Sequence, residues 1–201
     1  MPDAATTDPT ADLPATVRAA ARGELPPWAE ASPRRREHIA RVAALLDQWA
    51  DAAELDPRER DRWVAAGWLH DALRDADPER LRAAVPERFR VLPGPVLHGP
   101  AAAERLAGEA DAEIRDAIRY HTLGHPGFGP LGKALYLADF LEPGRDFEPE
   151  WRASLAARMP AEMDEVLIEV LRSRIRHLID RRKPVSPETA AFWSALVGVG
   201  G

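Results

Sequence analysis

The chain has 201 residues, a formal charge of −6 and no cysteine, a size that suits one domain with a buried core of its own. The missing cysteines exclude disulfide frameworks, zinc fingers, iron–sulfur clusters and thiol nucleophiles, and leave any metal site to His, Asp and Glu. The negative charge argues against broad attraction to nucleic acid or a membrane surface, so an anionic ligand must be met by local cations or metals.

Residues 1 to about 22 are rich in Ala, Pro, Thr and Asp without a periodic apolar face and are expected to form a flexible tail, with the domain running from 23 to 201. This start lacks the basic and apolar segments of a secretory signal, and no run approaches the ~20 apolar residues of a membrane span. The expected compartment is the cytoplasm.

Ser32 caps a helix that begins at Pro33, and from Arg34 to Ala53 the residues Ile39, Val42, Ala43, Leu46, Trp49 and Ala53 keep helical spacing, with His38 beside the stripe. Asp56-Pro57 opens a second helix, expected to run to about Ala72, in which His70 continues the stripe of Trp63, Ala66 and Gly67. Its neighbour Asp71 would cost several kcal/mol to bury alone, so the pair calls for an ion pair or a metal.

A short helix over about Pro78–Ala84 leads to a proline-rich loop closed by His98, just before Pro100 starts the next helix. In AEIRDAIRYH the residues Ile114, Ala117, Ile118 and His121 share one face, so His121 takes a core-facing slot. LGKALYLADFL reads as an apolar helix interrupted by Asp139, and nothing in LYLADFL offers that carboxylate a local cation. Helices over about 150–158 and 161–182, and a last one from Pro187 with Ser186 as cap, complete an all-α fold.

Only six histidines are present. His38, His70 with Asp71, His98, His121 and Asp139 lie on separate helices or helix ends that a bundle can bring together. Imidazole and carboxylate suit iron, manganese or zinc, and adjacent residues of a helix diverge by about 100°, so His70 can serve one ion while Asp71 reaches between two. Arg35, Arg74, Lys133 and Arg145 lie near these residues in sequence and can meet phosphate oxygens, although such a residue taken alone is more often a solvated or ion-paired surface residue. His125 follows His121 in a Gly/Pro loop and is a substrate-facing candidate, whereas His177 lies among arginines and is expected to face solvent. No G-x-S-x-G nucleophile elbow is present.

The motifs RREH at 35–38, WLHD at 68–71, LHGP at 97–100, RYHTLGHPG at 119–127 and LADFLEPGRDF at 137–147 resemble, in order and spacing, the HD-domain superfamily of metal-dependent phosphohydrolases. Within it they resemble the YqeK family of symmetrical bis(5′-nucleosyl)-tetraphosphatases, over roughly residues 33 to 197. The resemblance implies an all-helical HD bundle with a central dinuclear centre, iron first and manganese as the alternative. It implies His38, His70, Asp71, His98, His121 and Asp139 as ligands, with Asp71 as the bridge.

The activity it implies is cleavage of diadenosine tetraphosphate into two ADP by metal-bound hydroxide. His70 and Asp71 would stand at the reacting centre, Arg74 and Lys133 would act on phosphate, and Arg35, His125, Lys133, Arg145 and Asp146 would contact substrate. Arg74 occupies the place where HD proteins commonly carry lysine, which it does not match geometrically. Two alternatives remain: a phosphohydrolase of another nucleotide, or a non-catalytic nucleotide-binding regulator. The expected partner is a small nucleotide, and a homodimer is compatible with the sequence.

Overall fold

The computed structural model describes residues 9–198. It is all-α, and no strand occurs among the described residues. Ten helices follow in order: α1 (Ala15–Ala21), α2 (Pro33–Ala52), α3 (Pro57–Leu69), α4 (Pro78–Ala84), α5 (His98–Arg105), α6 (Ala112–Tyr120), α7 (Pro130–Leu141), α8 (Pro149–Ala156), α9 (Met163–Asp180) and α10 (Pro187–Val197). No helix among the described residues is long and apolar enough to cross a membrane.

Local chemistry sets most of these starts. Ser32, Asp56, Asp77, Asp111 and Ser186 each accept a backbone amide of the first turn, and proline stands in the first turn of α2, α3, α4 and α10, where its missing amide costs nothing. The centre is α7, whose residues from Ala134 to Ala138 are all buried; it is apolar almost all round because α2, α3, α6, α8 and α9 pack on it. Asp139 is thereby carried into the interior.

Two expectations are corrected. Part of the expected tail is structured: Leu13, Val17 and Ala20 are buried and α1 lies on α3, while residues 1–8 fall outside the described part. Alanine-rich sequence holds a helix well, and offsets of four and three give it one narrow stripe of small side chains. The second difference is that α3 ends at Leu69 instead of about Ala72. The Ala72 amide turns to the Leu69 carbonyl at 3.2 Å instead of continuing the ladder, and the loop before α2 holds the turn that follows, the Ala72 carbonyl accepting from the Glu30 amide at 2.7 Å and the Asp75 amide donating to Glu30.

Candidate metal centre

Five elements converge at one buried point. The second turn of α2 gives His38, the end of α3 gives His70 and Asp71, the start of α5 gives His98, the end of α6 gives His121, and α7 gives Asp139. The four imidazoles and Asp71 are all buried. Asp71 lies between two groups. Its Oδ2 is 3.6 Å from Nε2 of His38 and 3.7 Å from Nε2 of His70, and its Oδ1 is 2.9 Å from Nε2 of His98 and 3.6 Å from Nε2 of His121. Asp139 Oδ1 adds a contact of 3.1 Å to His38 Nε2.

The tautomers follow from the partners. Nδ1 of His70, His98 and His121 lies 2.7, 2.9 and 2.7 Å from the carbonyls of Gly67, Pro95 and Ile118. A carbonyl only accepts, so each Nδ1 carries the proton and each neutral Nε2 presents a lone pair. His38 makes the corresponding contact with Glu142, Nδ1 to Oε1 at 3.1 Å.

This leaves most of the inward nitrogens short of protein donors. Nε2 of His38 and His70 receives no hydrogen bond, only carboxylate oxygens standing nearby, and Nε2 of His98 and His121 face each other at 3.1 Å, lone pair toward lone pair, with the Thr122 hydroxyl 3.2 Å from His121 Nε2 as a donor. Buried acceptors set against one another and against a carboxylate are unfavourable unless a cation lies among them. The donor set therefore fits divalent ions in two positions sharing Asp71: His38, His70 and Asp71, and Asp71, His98 and His121, with donor atoms within 4.8 Å of one another in each.

The electrostatics agree with this fit. Burial pushes the His70 imidazole down to about 4 and also lowers His98, so both imidazoles are neutral at neutral pH. Burial alone would raise Asp71 and Asp139, but the surrounding imidazoles and, for Asp139, Arg145 outweigh it and hold both well below the usual carboxylate range. Burial would lower His38, yet contact with Asp139 and Glu142 raises it.

The outer residues divide. Arg35 reaches Asp71 Oδ2 at 2.7 Å, and Arg145 pairs with the Asp139 carboxylate and donates to its backbone carbonyl. Asp139 thus has the nearby cation that the sequence did not reveal, because the turn after Leu141 folds Arg145 back on the helix end. Arg35, Arg145 and Asp146 line a cleft of about 450 Å³ together with Ser32, Arg34, His38 and Arg41. Arg74 is close enough to His98 to help lower it. His125 stands on Tyr120, rings stacked at 4.4 Å.

Lys133, expected on the phosphate, is instead paired with Asp164 of α9 at 2.7 Å. It precedes Asp139 by six residues, about 120° away around the helix and 9 Å along it. Glu142, Arg41 and Arg152 were not singled out from the sequence. Glu142 stands three residues after Asp139, and that spacing was the available signal. Arg152 is buried and holds the carbonyls of Phe140, Glu142, Arg145 and Phe147, a role that no local pattern announces.

A helical frame that gathers histidines and aspartates in this way defines an HD-type hydrolase. The HD domain family model matches residues 35–180, and the chain belongs to that family of phosphohydrolases. Among its relatives, the symmetrical bis(5′-nucleosyl)-tetraphosphatase of Bacillus subtilis is 31% identical over 158 residues, covering 79% of this chain and 76% of the relative. The protein of the same name from Halalkalibacterium halodurans is 25% identical over 174 residues, covering 82% and 92%. A crystal structure from Clostridium acetobutylicum, described as an HD superfamily hydrolase involved in NAD metabolism, shares the fold with a TM-score of 0.69 at 21% identity over 84% of this chain and 91% of its own.

Proposed function

We propose that the protein hydrolyses diadenosine tetraphosphate symmetrically, adding water across the central phosphoric anhydride to release two ADP. The observation that carries this reading is the Asp71 carboxylate shared between two sets of inward imidazole nitrogens, beside a cleft lined by Arg34, Arg35, Arg41 and Arg145. The names of the relatives support the substrate.

His38, His70, Asp71 and Asp139 would hold one divalent ion and Asp71, His98 and His121 the other, with iron as the first assignment and manganese as the alternative. Such ions supply Lewis acidity, bringing the pKa of water toward neutrality and drawing charge from a phosphoryl oxygen. The chain's own part is to bind and orient. His70 and His98 stay neutral with Nε2 inward, and Asp71 and Asp139 remain ionised.

Arg35 and Arg145 stand where the cleft meets the cluster and meet the phosphate chain with charge-assisted hydrogen bonds that offset the charge gathering on the departing diphosphate. Arg74 acts from the His98 side, in the role the family gives to lysine, and Asp146 lines the cleft where the substrate would lie. His125, held flat against Tyr120, offers a surface for a base. Lys133, paired with Asp164, is left out of this assignment.

Chromatography of the products tests the proposal. Protein loaded with iron or manganese should convert diadenosine tetraphosphate to ADP alone, and Asp71→Ala should lose metal and activity together while its helical circular dichroism persists. Faster release of orthophosphate or pyrophosphate from ordinary nucleotides, or full activity in a metal-free Asp71→Ala, would refute it.

A further inference from the structure

His38 differs from the other imidazoles of the cluster in what holds its Nδ1. His70, His98 and His121 stand at helix ends and donate to the carbonyl three residues earlier, an oxygen left available where the regular ladder starts or stops. His38 lies within α2, whose carbonyls are engaged by the helix itself, so its ring needs a side-chain acceptor. Glu142 meets that need with Oε1.

The other oxygen of the same carboxylate leads outward. Glu142 is 1% exposed, and its Oε2 accepts from Nε of Arg41 at 2.5 Å and from the Gly144 amide at 2.7 Å. A Cβ at Gly144 would fall on the Arg41 guanidinium, so glycine there is what lets the turn close over the arginine. The Arg41 side chain is 36% exposed and lines the cleft, and among the described residues its terminal nitrogens make no hydrogen bond. A fork held by Nε, with its outer edge uncommitted, has the geometry that takes phosphate oxygens in pairs.

We propose that Arg41, Glu142 and His38 form a positioning relay from the cleft to the centre, in which Arg41 binds a phosphate of the anhydride chain and Glu142 fixes His38 with its Nε2 turned to the metal. Unlike the three carbonyl acceptors, Glu142 is an anion, so it strengthens His38 as a donor more than they strengthen their rings. Phosphate binding at Arg41 draws on the cation that balances Glu142, so the cleft and the donor strength of His38 respond to each other. The relay rests on the metal-holding role proposed for His38 and not on the identity of the nucleotide.

The test uses the full chain loaded with metal and reads metal per chain after dialysis against graded chelator, together with calorimetric binding of ADP. Glu142→Gln, which keeps the shape and removes the charge, should weaken retention of one of the two ions by about 10- to 100-fold and leave the other as in the wild type. Arg41→Met should keep both ions and weaken ADP by about 10-fold or more, with Arg41→Lys recovering only part. Wild-type retention in Glu142→Gln, or unchanged ADP affinity in Arg41→Met, would overturn the relay. If wild-type protein leaves diadenosine tetraphosphate intact, the proposed substrate fails, while the metal and ADP measurements still judge the relay.

Discussion

Gly99→Ala probes the link between helix packing and the centre. A Cβ at this position would lie 2.8 Å from the carbonyl oxygen of Ile118, 3.1 Å from that of Arg119 and 3.2 Å from Cε1 of His121. Carbon and carbonyl oxygen approach to about 3.3 Å, and both oxygens belong to the last turn of α6, so α5 and α6 must part by roughly half an ångström. Overpacking of this kind costs about 1–3 kcal/mol, and replacing a helical glycine by alanine recovers at most about 1 kcal/mol. A net loss of about 1–2 kcal/mol lowers the midpoint of thermal unfolding by about 3–6 °C in a chain of this size.

The Ile118 carbonyl is also the acceptor for His121 Nδ1. The same push therefore disturbs the tautomer and aim of His121, and retention of the ion between His98 and His121 should fall by at least about 10-fold. Circular dichroism melts and metal content after chelator dialysis read the two effects separately. A lower melting point with unchanged metal retention would refute the coupling, and no change in either would refute the packing argument.

Arg152→Met leaves the carbonyls of Phe140, Glu142, Arg145 and Phe147 without their donor and should cost about 2–4 kcal/mol in denaturant unfolding, with weaker ADP binding because the turn carrying Arg145 loosens. Removing bound metal with chelator should lower the melting point, the stability lost being about 2.7 kcal/mol where the free ion had stood at about 100 times its dissociation constant. The third expectation concerns acid. Burial alone would raise Asp111, but Arg62 and the amides of Ile114 and Glu113 hold it below its ordinary value. Its contribution is then complete above the unfolded value near ~3.9 and is lost as pH falls through the lower folded value. Asp111→Asn keeps the cap and loses the charge, so its deficit against wild type, about 1 kcal/mol at neutral pH for a part-exposed pair, should close in urea melts below that range.

Helices were legible wherever a cap and a periodic stripe coincided, as at Ser32-Pro33 and Ser186-Pro187, because both signals are local. The tail was misread because the stripe of α1 is only Val17 and Ala20, with Leu13 just before it, too few residues to register without knowing that α3 lies beneath. The end of α3 was missed because no glycine or proline marks it, and the turn after it is held by Glu30, 41 residues before Asp71. The inner donors were legible because His and Asp on apolar faces need a reason. The outer residues were legible only in part, since a surface cation and one beneath a cleft look alike in sequence: Arg35, Arg145 and Asp146 line the cleft, but Lys133 went to Asp164, and Arg41, paired with Glu142, was passed over.

The early end of α3 bears directly on the chemistry. Had the helix continued to Ala72, the Gly67 carbonyl would serve the Asp71 amide as part of the regular ladder. Because the ladder stops with His70 bonding Ala66, the Gly67 oxygen accepts Nδ1 of His70 instead. Asp71 is released into the turn that follows, where its two oxygens reach imidazoles from α2 and α3 on one side and from α5 and α6 on the other. The adjacent His and Asp can therefore reach both groups of imidazoles because the helix breaks between Leu69 and Asp71, and Glu30 holds the turn that follows through the Ala72 carbonyl and the Asp75 amide.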